Sequence, residues 1–339
     1  MTIIPFSLKK NAFYSVGRLP GLTKALGSWK GIGVILCYHR VLPRTEVLQD
    51  TSPNQFLAVS EESFDRQMRY LASHYDVITM DELASRHEKG KKNFGVVVTF
   101  DDGYRDNLRC AIPILKNYKI PVLLYMTTRF LSGDTFLWWF DLWERLLEKN
   151  HVQVIIGKTV MQWKTSRFQD KLRCFDSIRR LMTDSGREEQ EALLKQVLEN
   201  RPIQQYPHLC LTRDEVTSMD HSGLVSIGAH THSHNSLAIL TESQVEEEMI
   251  RSKTLLEELL GKTVRHFAYP FGGSANCGPR EALLAEQMGF TTAVTTAAGS
   301  VNQKRMPFFW PRIQIKDHMD GNKMKILFSG LTGLTGKAP

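Results

Sequence analysis

Between Gly95 and Asn107 the chain reads Gly-Val-Val-Val-Thr-Phe-Asp-Asp-Gly-Tyr-Arg-Asp-Asn. A short, unbroken apolar run of this kind is the pattern of a buried parallel strand. It ends in two adjacent carboxylates, Asp101 and Asp102, and a turn residue, Gly103. Helical spacing resumes through Leu108, Ile112 and Leu115. Strand, acid pair, glycine turn and helix is how an α/β protein presents chemistry at the carboxyl end of a strand. Two like charges at a strand mouth repel. A bound cation relieves that, with one Asp as its ligand and the other as a base beside it. The alternative is a helix N-cap followed by a first-turn acid, both favoured by the helix dipole.

The same strand pattern recurs along the chain. Gly33-Val-Ile-Leu-Cys-Tyr-His39-Arg40 delivers Tyr38 and His39 near its end. Ile120–Met126, Gly223–Gly228, Val264–Ala268, Thr291–Thr295 and a closing strand over Phe308–Ile315 follow, with a shorter one at Val77–Thr79. Capping patterns at Thr212–Glu215 and Thr241–Gln244 start two of the intervening helices. Strands alternating with helices, with polar residues at strand ends, predict a distorted and incomplete (β/α)7-8 barrel. Residues 131–206 break the alternation. A helical stripe of Phe136, Trp139, Trp143 and Leu147, a β-like pair and charged helices read as an insertion. The stripe fits either a small core or a sugar-stacking platform. The expected organisation is a basic amphipathic segment over 1–30, a barrel over 31–320 carrying the insertion, and a tail over 321–339.

At 339 residues the chain is long enough for a full-sized barrel. A net charge of +7 favours anionic partners only weakly, and no nucleic-acid-binding motif accompanies it, so nucleic acid is not an expected partner. The five cysteines are scattered and form no Cys-x-x-Cys pair, the usage of a reduced, cytoplasmic protein. Residues 1–30 carry Lys9, Lys10, Arg18, Lys24 and Lys30 and no acid, interleaved with apolar residues. Pro5, Lys9 and Lys10 interrupt any signal-peptide core. Such a segment suits peripheral contact with the inner face of an anionic membrane, or packing on the domain.

Three histidines alternate at 230, 232 and 234. Alternate residues of an extended segment share a face, whereas a tight turn brings 230 and 234 together. Two histidines and a carboxylate leave coordination positions open, the mark of a catalytic rather than a structural site.

Here the motifs become specific. Thr99-Phe-Asp-Asp-Gly103 and His230-Thr-His-Ser-His234 resemble the first two motifs of the polysaccharide deacetylases, the NodB-homology carbohydrate esterases. The resemblance covers most of residues 31–315 apart from the insertion. It implies Asp101 as general base, Asp102, His230 and His234 as ligands of a divalent metal of zinc type, and Thr231 as support for the loop. His232 falls at a variable position. The third motif departs from the usual pattern: Ala268-Tyr-Pro-Phe-Gly272 has Ala268 in place of Arg. The position of the usual carboxyl-terminal histidine holds Lys316. A branch of the family shares these departures and carries a Tyr-His pair on its first strand, which Tyr38-His39 resembles. The resemblance makes His39 the candidate acid and puts the Phe271 N–H at the family's oxyanion position; Arg312 resembles a further feature of the branch, and we expect it to compensate for the missing Arg by orienting Asp101. The implied reaction removes N-acetyl groups from an amino sugar of a polysaccharide or lipid-linked glycan. O-deacetylation or deformylation on the same scaffold, and an inactive carbohydrate-binding homologue, are the alternatives. The sugar and the oligomeric state do not follow from the sequence.

Overall fold

The computed structural model describes residues 31–331, so the basic segment over 1–30 lies outside the described residues. The chain enters through β1 (Gly33–Tyr38) and β2 (Arg40–Leu42) and turns through α1 (Arg44–Gln49). It continues through β3 (Ala58–Ser60), α2 (Glu61–His74), α3 (Met80–Glu88), β4 (Gly95–Phe100), α4 (Ile112–Tyr118) and β5 (Val122–Met126). The insertion contributes α5 (Trp138–Glu148), the hairpin β6 (His151–Ile156) and β7 (Thr159–Lys164), α6 (Phe168–Thr183) and α7 (Arg187–Leu198). Alternation then resumes with α8 (Arg213–His221), β8 (Val225–Ala229), α9 (Glu242–Leu260), β9 (His266–Ala268), α10 (Pro279–Gln287) and β10 (Thr292–Val294). The described chain ends with β11 (Ile313–Gln314), α11 (Gly321–Ile326) and one further turn.

Seven strands form one sheet in the order β10-β9-β8-β5-β4-β1-β11, and every adjacent pair is parallel. The sheet curls into an incomplete (β/α) barrel, the fold expected from the pattern. One segment binds both of its edges. Trp310 N–H donates to Ala293 O at 3.1 Å and Trp310 O accepts from Thr295 N–H at 2.9 Å, while Ile313 and Gln314 pair with Leu36 and Cys37. The continuous closing strand expected over 308–315 is therefore split. Pro311 has no N–H to give a ladder, and a 3₁₀ turn occupies Pro307–Phe309. Val77–Thr79 likewise forms a single bridge, Val77 to Val96, before the Thr79 hydroxyl caps α3. Both expected capping boxes are present, at Thr212 and Thr241.

Strand parity sorts the core. Ile35, Val97, Leu123, Tyr125 and Ala268 belong to one cluster that also holds Trp310. Val34, Leu36, Val96, Val98 and Leu124 belong to another, shared with residues of the surrounding helices. Successive strand side chains point to opposite faces. Cys37, Thr99 and Asp101 thus continue the parity of Ile35 and Val97 toward the carboxyl end of the strands, where a barrel keeps its chemistry. The insertion has its own core, in which Trp138, Trp139, Trp143, Val154, Phe175 and Leu194 meet Tyr104 of the barrel. Residues 321–331, read from the sequence as the start of a tail, continue into the main core through Met324, Leu327 and Phe328. Among the described residues no helix is long and apolar enough to cross a membrane, and all five cysteines are free thiols.

Candidate active site

Asp101 and Asp102 follow directly on β4, and both are buried. In a continued strand they would face opposite sides. A φ of 73° at Asp102 breaks the alternation and lets the second carboxylate share the mouth with the first. Thr231 (φ 63°), His234 (φ 62°) and Phe271 (φ 60°) are also left-handed, a conformation that costs a non-glycine residue about 1–3 kcal/mol and clusters at functional sites. The tight turn after β8 carries His230 and His234 to one place. Thr231 Oγ1 accepts from His234 N–H at 3.0 Å and fixes that turn.

The two histidines meet Asp102. Its Oδ1 lies 3.4 Å from His230 Nε2 and 3.2 Å from His234 Nε2. His230 Nδ1 donates to Ala268 O at 2.7 Å, which leaves Nε2 to face the carboxylate. The three donor atoms lie within 4.8 Å of one another. Two imidazole nitrogens and one carboxylate oxygen, with the ring of one histidine oriented through its other nitrogen, are a donor set for a zinc-like divalent ion. Burial opposes ionisation of Asp102, yet the imidazoles, His230 first, hold it well below the usual carboxylate range. Burial also lowers the pKa of His230, and contact with Asp102 outweighs that and raises it. His232 points elsewhere. Its Nδ1 lies 3.0 Å from Thr128 Oγ1, its backbone N–H donates to Glu248, and burial pushes its pKa down to about 4.

Asp101 is held from the far end of the chain. Arg312 Nη1 and Nη2 donate to its two oxygens, both at 2.6 Å, and Arg312 Nε donates to Thr295 O at 3.1 Å. Burial pushes the Asp101 carboxyl up, and the Arg312 guanidinium, with His230 and His39, more than offsets this, so it stays below its ordinary value. His39 Nε2 lies 4.0 Å from Asp101 Oδ2. Burial lowers the His39 pKa more than the two carboxylates raise it. Its Nδ1 is buried with no hydrogen-bond partner among the described residues. Phe271 packs edge-on against the His234 ring, with centroids 5.0 Å apart. Lys316 Nζ stands over the exposed Phe56 ring at 6.0 Å.

The structure thus brings together His39, Asp101, Asp102, His230, His234, Phe271 and Arg312. Two neighbours were not singled out from the sequence, and a third, Trp139, was read there only as part of the insertion's aromatic stripe. The Cys37 thiol, raised in pKa by burial, donates to Asp101 Oδ2 at 3.6 Å. Asn107 Nδ2 donates to His39 O at 2.8 Å. The Trp139 ring of the insertion lies 5.9 Å from that of His234. Strand parity with His39 was the available signal for Cys37, the aromatic stripe was the signal for Trp139, and Asn107 had none. A cavity of 540 Å³ opens over these groups, lined also by the 50–58 loop and by α5 and α6. Buried carboxylates beside a metal donor set, at the floor of such a cavity, are equipped to activate a water against an acyl group.

Comparison with known proteins gives one consistent result. The sequence profile of the polysaccharide deacetylase family matches residues 88–293. The Bacillus subtilis protein YxkH, which carries a provisional polysaccharide deacetylase name, is 22% identical over 85% of this chain and 73% of its own length. The poly-β-1,6-N-acetyl-D-glucosamine N-deacetylase of Staphylococcus epidermidis is 22% identical over 59% of this chain and 73% of its own. Among solved structures, the Streptococcus pyogenes deacetylase PplD superposes with a TM-score of 0.57 at 18% identity, over 90% of this chain and 98% of that one. IcaB from Ammonifex degensii gives 0.56 at 22%, over 88% and 97%. These two structural likenesses establish the fold.

Alanine at Asp102, His230 or His234 is expected to abolish retention of a divalent metal, read by elemental analysis after gel filtration, while His232→Ala keeps it. Stoichiometric metal in a folded His230→Ala/His234→Ala double variant would remove the assignment. Arg312→Leu leaves a buried, unpaired carboxylate, with an expected loss of about 3–5 kcal/mol in urea unfolding at neutral pH. In the parent, the depressed Asp101 pKa gives stability that is present above the unfolded carboxylate value of about 3.9 and lost as pH falls through the folded value. In the variant the chief opposition to burial is lost and that pKa rises. The deficit is therefore expected to shrink as the solution is acidified, and a pH-independent deficit contradicts the pairing.

Proposed function

This chain belongs to the polysaccharide deacetylase family of metal-dependent hydrolases, and from that premise we propose that it removes N-acetyl groups from amino sugars of a polysaccharide or lipid-linked glycan, releasing acetate and a free amine. The observation that carries the reading is the Asp102–His230–His234 donor set with the Arg312-held Asp101 beside it.

The donor set fits zinc, with two nitrogens and one oxygen. A divalent ion there supplies Lewis acidity and lowers the pKa of a water. Asp101, ionised because Arg312 holds its pKa down, accepts the proton of the attacking water. Arg312 keeps both carboxylate oxygens in a fixed plane, so the base does not rotate away. The Phe271 N–H donates to the oxygen on which negative charge develops. His39 is neutral at rest, because burial lowers its pKa. It takes up the proton lost by the water, by way of Asp101, and passes it to the leaving nitrogen. Protons balance across the cycle: one leaves water and one reaches the amine. Cys37 remains a thiol and supports Asp101 without entering the reaction.

The basic segment over 1–30 supports a peripheral, cytoplasmic station at an anionic membrane surface. Deletion of residues 1–28 is expected to lower co-sedimentation with anionic vesicles while acetate release from a soluble glycan fragment continues. Equal sedimentation of both forms removes this part of the reading.

The reaction itself is tested by acetate release from a panel of N-acetylated, O-acetylated and N-formylated sugars, with the metal content measured in parallel. His39→Ala is expected to keep the metal and lose about 10²–10⁴-fold in turnover of the N-acetyl sugar. The loss on an activated ester is expected to be smaller, because that leaving group needs no proton. Equal amide turnover by variant and parent places the acid elsewhere.

A further inference from the structure

The two strands of the insertion's hairpin, β6 and β7, alternate between core and solvent for most of their length and depart from the expected composition at the tip. Val152 and Val154 point inward and belong to the insertion's core, with Leu193 and Leu194 of α7. The outward positions begin polar, as the pairs His151–Lys164 and Gln153–Gln162. The next outward pair is Ile155 with Val160, 49% and 52% exposed, and Ile156 beside the turn at Gly157 is 39% exposed. Three β-branched side chains thus stand in water at one point, where a solvated strand face ordinarily carries polar groups. The tip is also held in place. Gln196 of α7 accepts from Ile155 N–H at 2.7 Å and donates to Ile155 O at 3.2 Å, which occupies the outer edge of β6 there.

This apolar tip sits in a cationic stretch. From Lys149 to Gln169 there is no acidic residue, while Lys149, Lys158, Lys164 and Arg167 are basic. Lys149 and Arg167 pair with Glu199 and Asp170 at the base of the hairpin. Lys158 at the turn and Lys164 on the outer face are exposed. Aliphatic groups at a tip, with lysine stems beside them, suit the boundary between lipid headgroups and acyl chains, where the ammonium reaches back to phosphate. A second copy of the chain is a poorer fit, because symmetric pairing of two such hairpins brings their lysines together.

We propose that the tip of the β6–β7 hairpin is a membrane-docking surface: Ile155, Ile156 and Val160 enter the interface of an anionic bilayer, and Lys158 and Lys164 pair with its phosphates. The contact is separate from the one proposed for residues 1–30. The same insertion lines the active-site cavity through Trp139 and Phe140, so a docked hairpin holds the cavity close to the bilayer. The inference makes no use of the acetyl chemistry, and it stands or falls apart from the deacetylase reading.

The full chain is sedimented with vesicles of phosphatidylcholine containing about one-third phosphatidylglycerol, and with phosphatidylcholine alone. The triple substitution Ile155→Thr, Ile156→Thr and Val160→Thr removes the apolar tip but keeps β-branching, so the hairpin persists. It is expected to lower the partition coefficient on anionic vesicles at least about tenfold. Lys158→Glu is expected to lower it about fivefold on the anionic vesicles and to leave partition onto the neutral ones unchanged. Amides over 155–162 are expected to exchange hydrogen more slowly when anionic vesicles are present. Melting temperature and acetate release from a soluble glycan fragment are expected to match the parent in both variants, which excludes a folding defect. Sedimentation unchanged by the triple substitution overturns the proposal, and so does a loss seen only on deletion of residues 1–28. A dimer in analytical ultracentrifugation that the triple variant abolishes assigns the patch to a second copy and overturns it as well. If the parent releases no acetate yet sediments through its tip, the docking surface stands and the deacetylase reading falls. If acetate is released and the tip has no effect, the reading stands and the docking surface falls.

Discussion

A guanidinium and a carboxylate, both withdrawn from water, tie the closing segment of the barrel to its centre. Arg312 and Asp101 lie 211 residues apart in sequence and share two hydrogen bonds of 2.6 Å. Either charge alone would cost several kcal/mol to bury, so neither position tolerates loss of the other. The pair also decides matters beyond its own energy. It keeps Asp101 ionised where burial favours the neutral acid, and it fixes the carboxylate 4.0 Å from His39. Through Arg312 Nε and Thr295 O it links β10 to the middle of the sheet. The short segment after Trp310 has few ladder bonds of its own, and this ion pair anchors it.

The metal donors depend on a different device. Asp102, Thr231, His234 and Phe271 all occupy left-handed backbone that side chains ordinarily avoid. Local bonds hold this strain. Thr231 Oγ1 accepts from His234 N–H, Glu248 accepts from His232 N–H and Ser233 N–H, and Thr296 Oγ1 donates to Phe271 O. The consequence is directional. Two successive aspartates face one mouth, and two histidines four residues apart meet at one oxygen. Relaxed strand geometry would send half of these groups into the layer beneath the helices.

The insertion changes what the barrel mouth can hold. Its aromatic stripe admitted two readings, a small core or a platform. Trp139 and Trp143 both join the insertion's core, where Trp143 and Phe175 pack edge-to-face with centroids 6.0 Å apart, and Trp139, Phe140 and Phe175 also line the cavity. Its core takes in Tyr104 and Cys210 of the barrel, which seats this unit over the site.

Much of this was legible in the order of residues. Period and length mark the buried strands, because burial on both faces demands continuous apolar runs. Thr212 and Thr241 announce their helices, because a cap is a contact three residues long. The Asp-Asp and His-x-x-x-His motifs were visible because the residues that meet are neighbours in sequence or one turn apart. What sequence could not convey is whatever depends on distant segments meeting. That Pro311 splits the closing strand, that residues 321–331 return to the core, that Cys37 and Asn107 brace Asp101 and His39, and that Trp139 reaches His234 are all consequences of packing. Local pattern marks which residues prefer burial or a turn, since those preferences act within a few residues. Which buried groups become partners is decided by closure of the sheet, which sets distances between positions that the chain itself leaves independent.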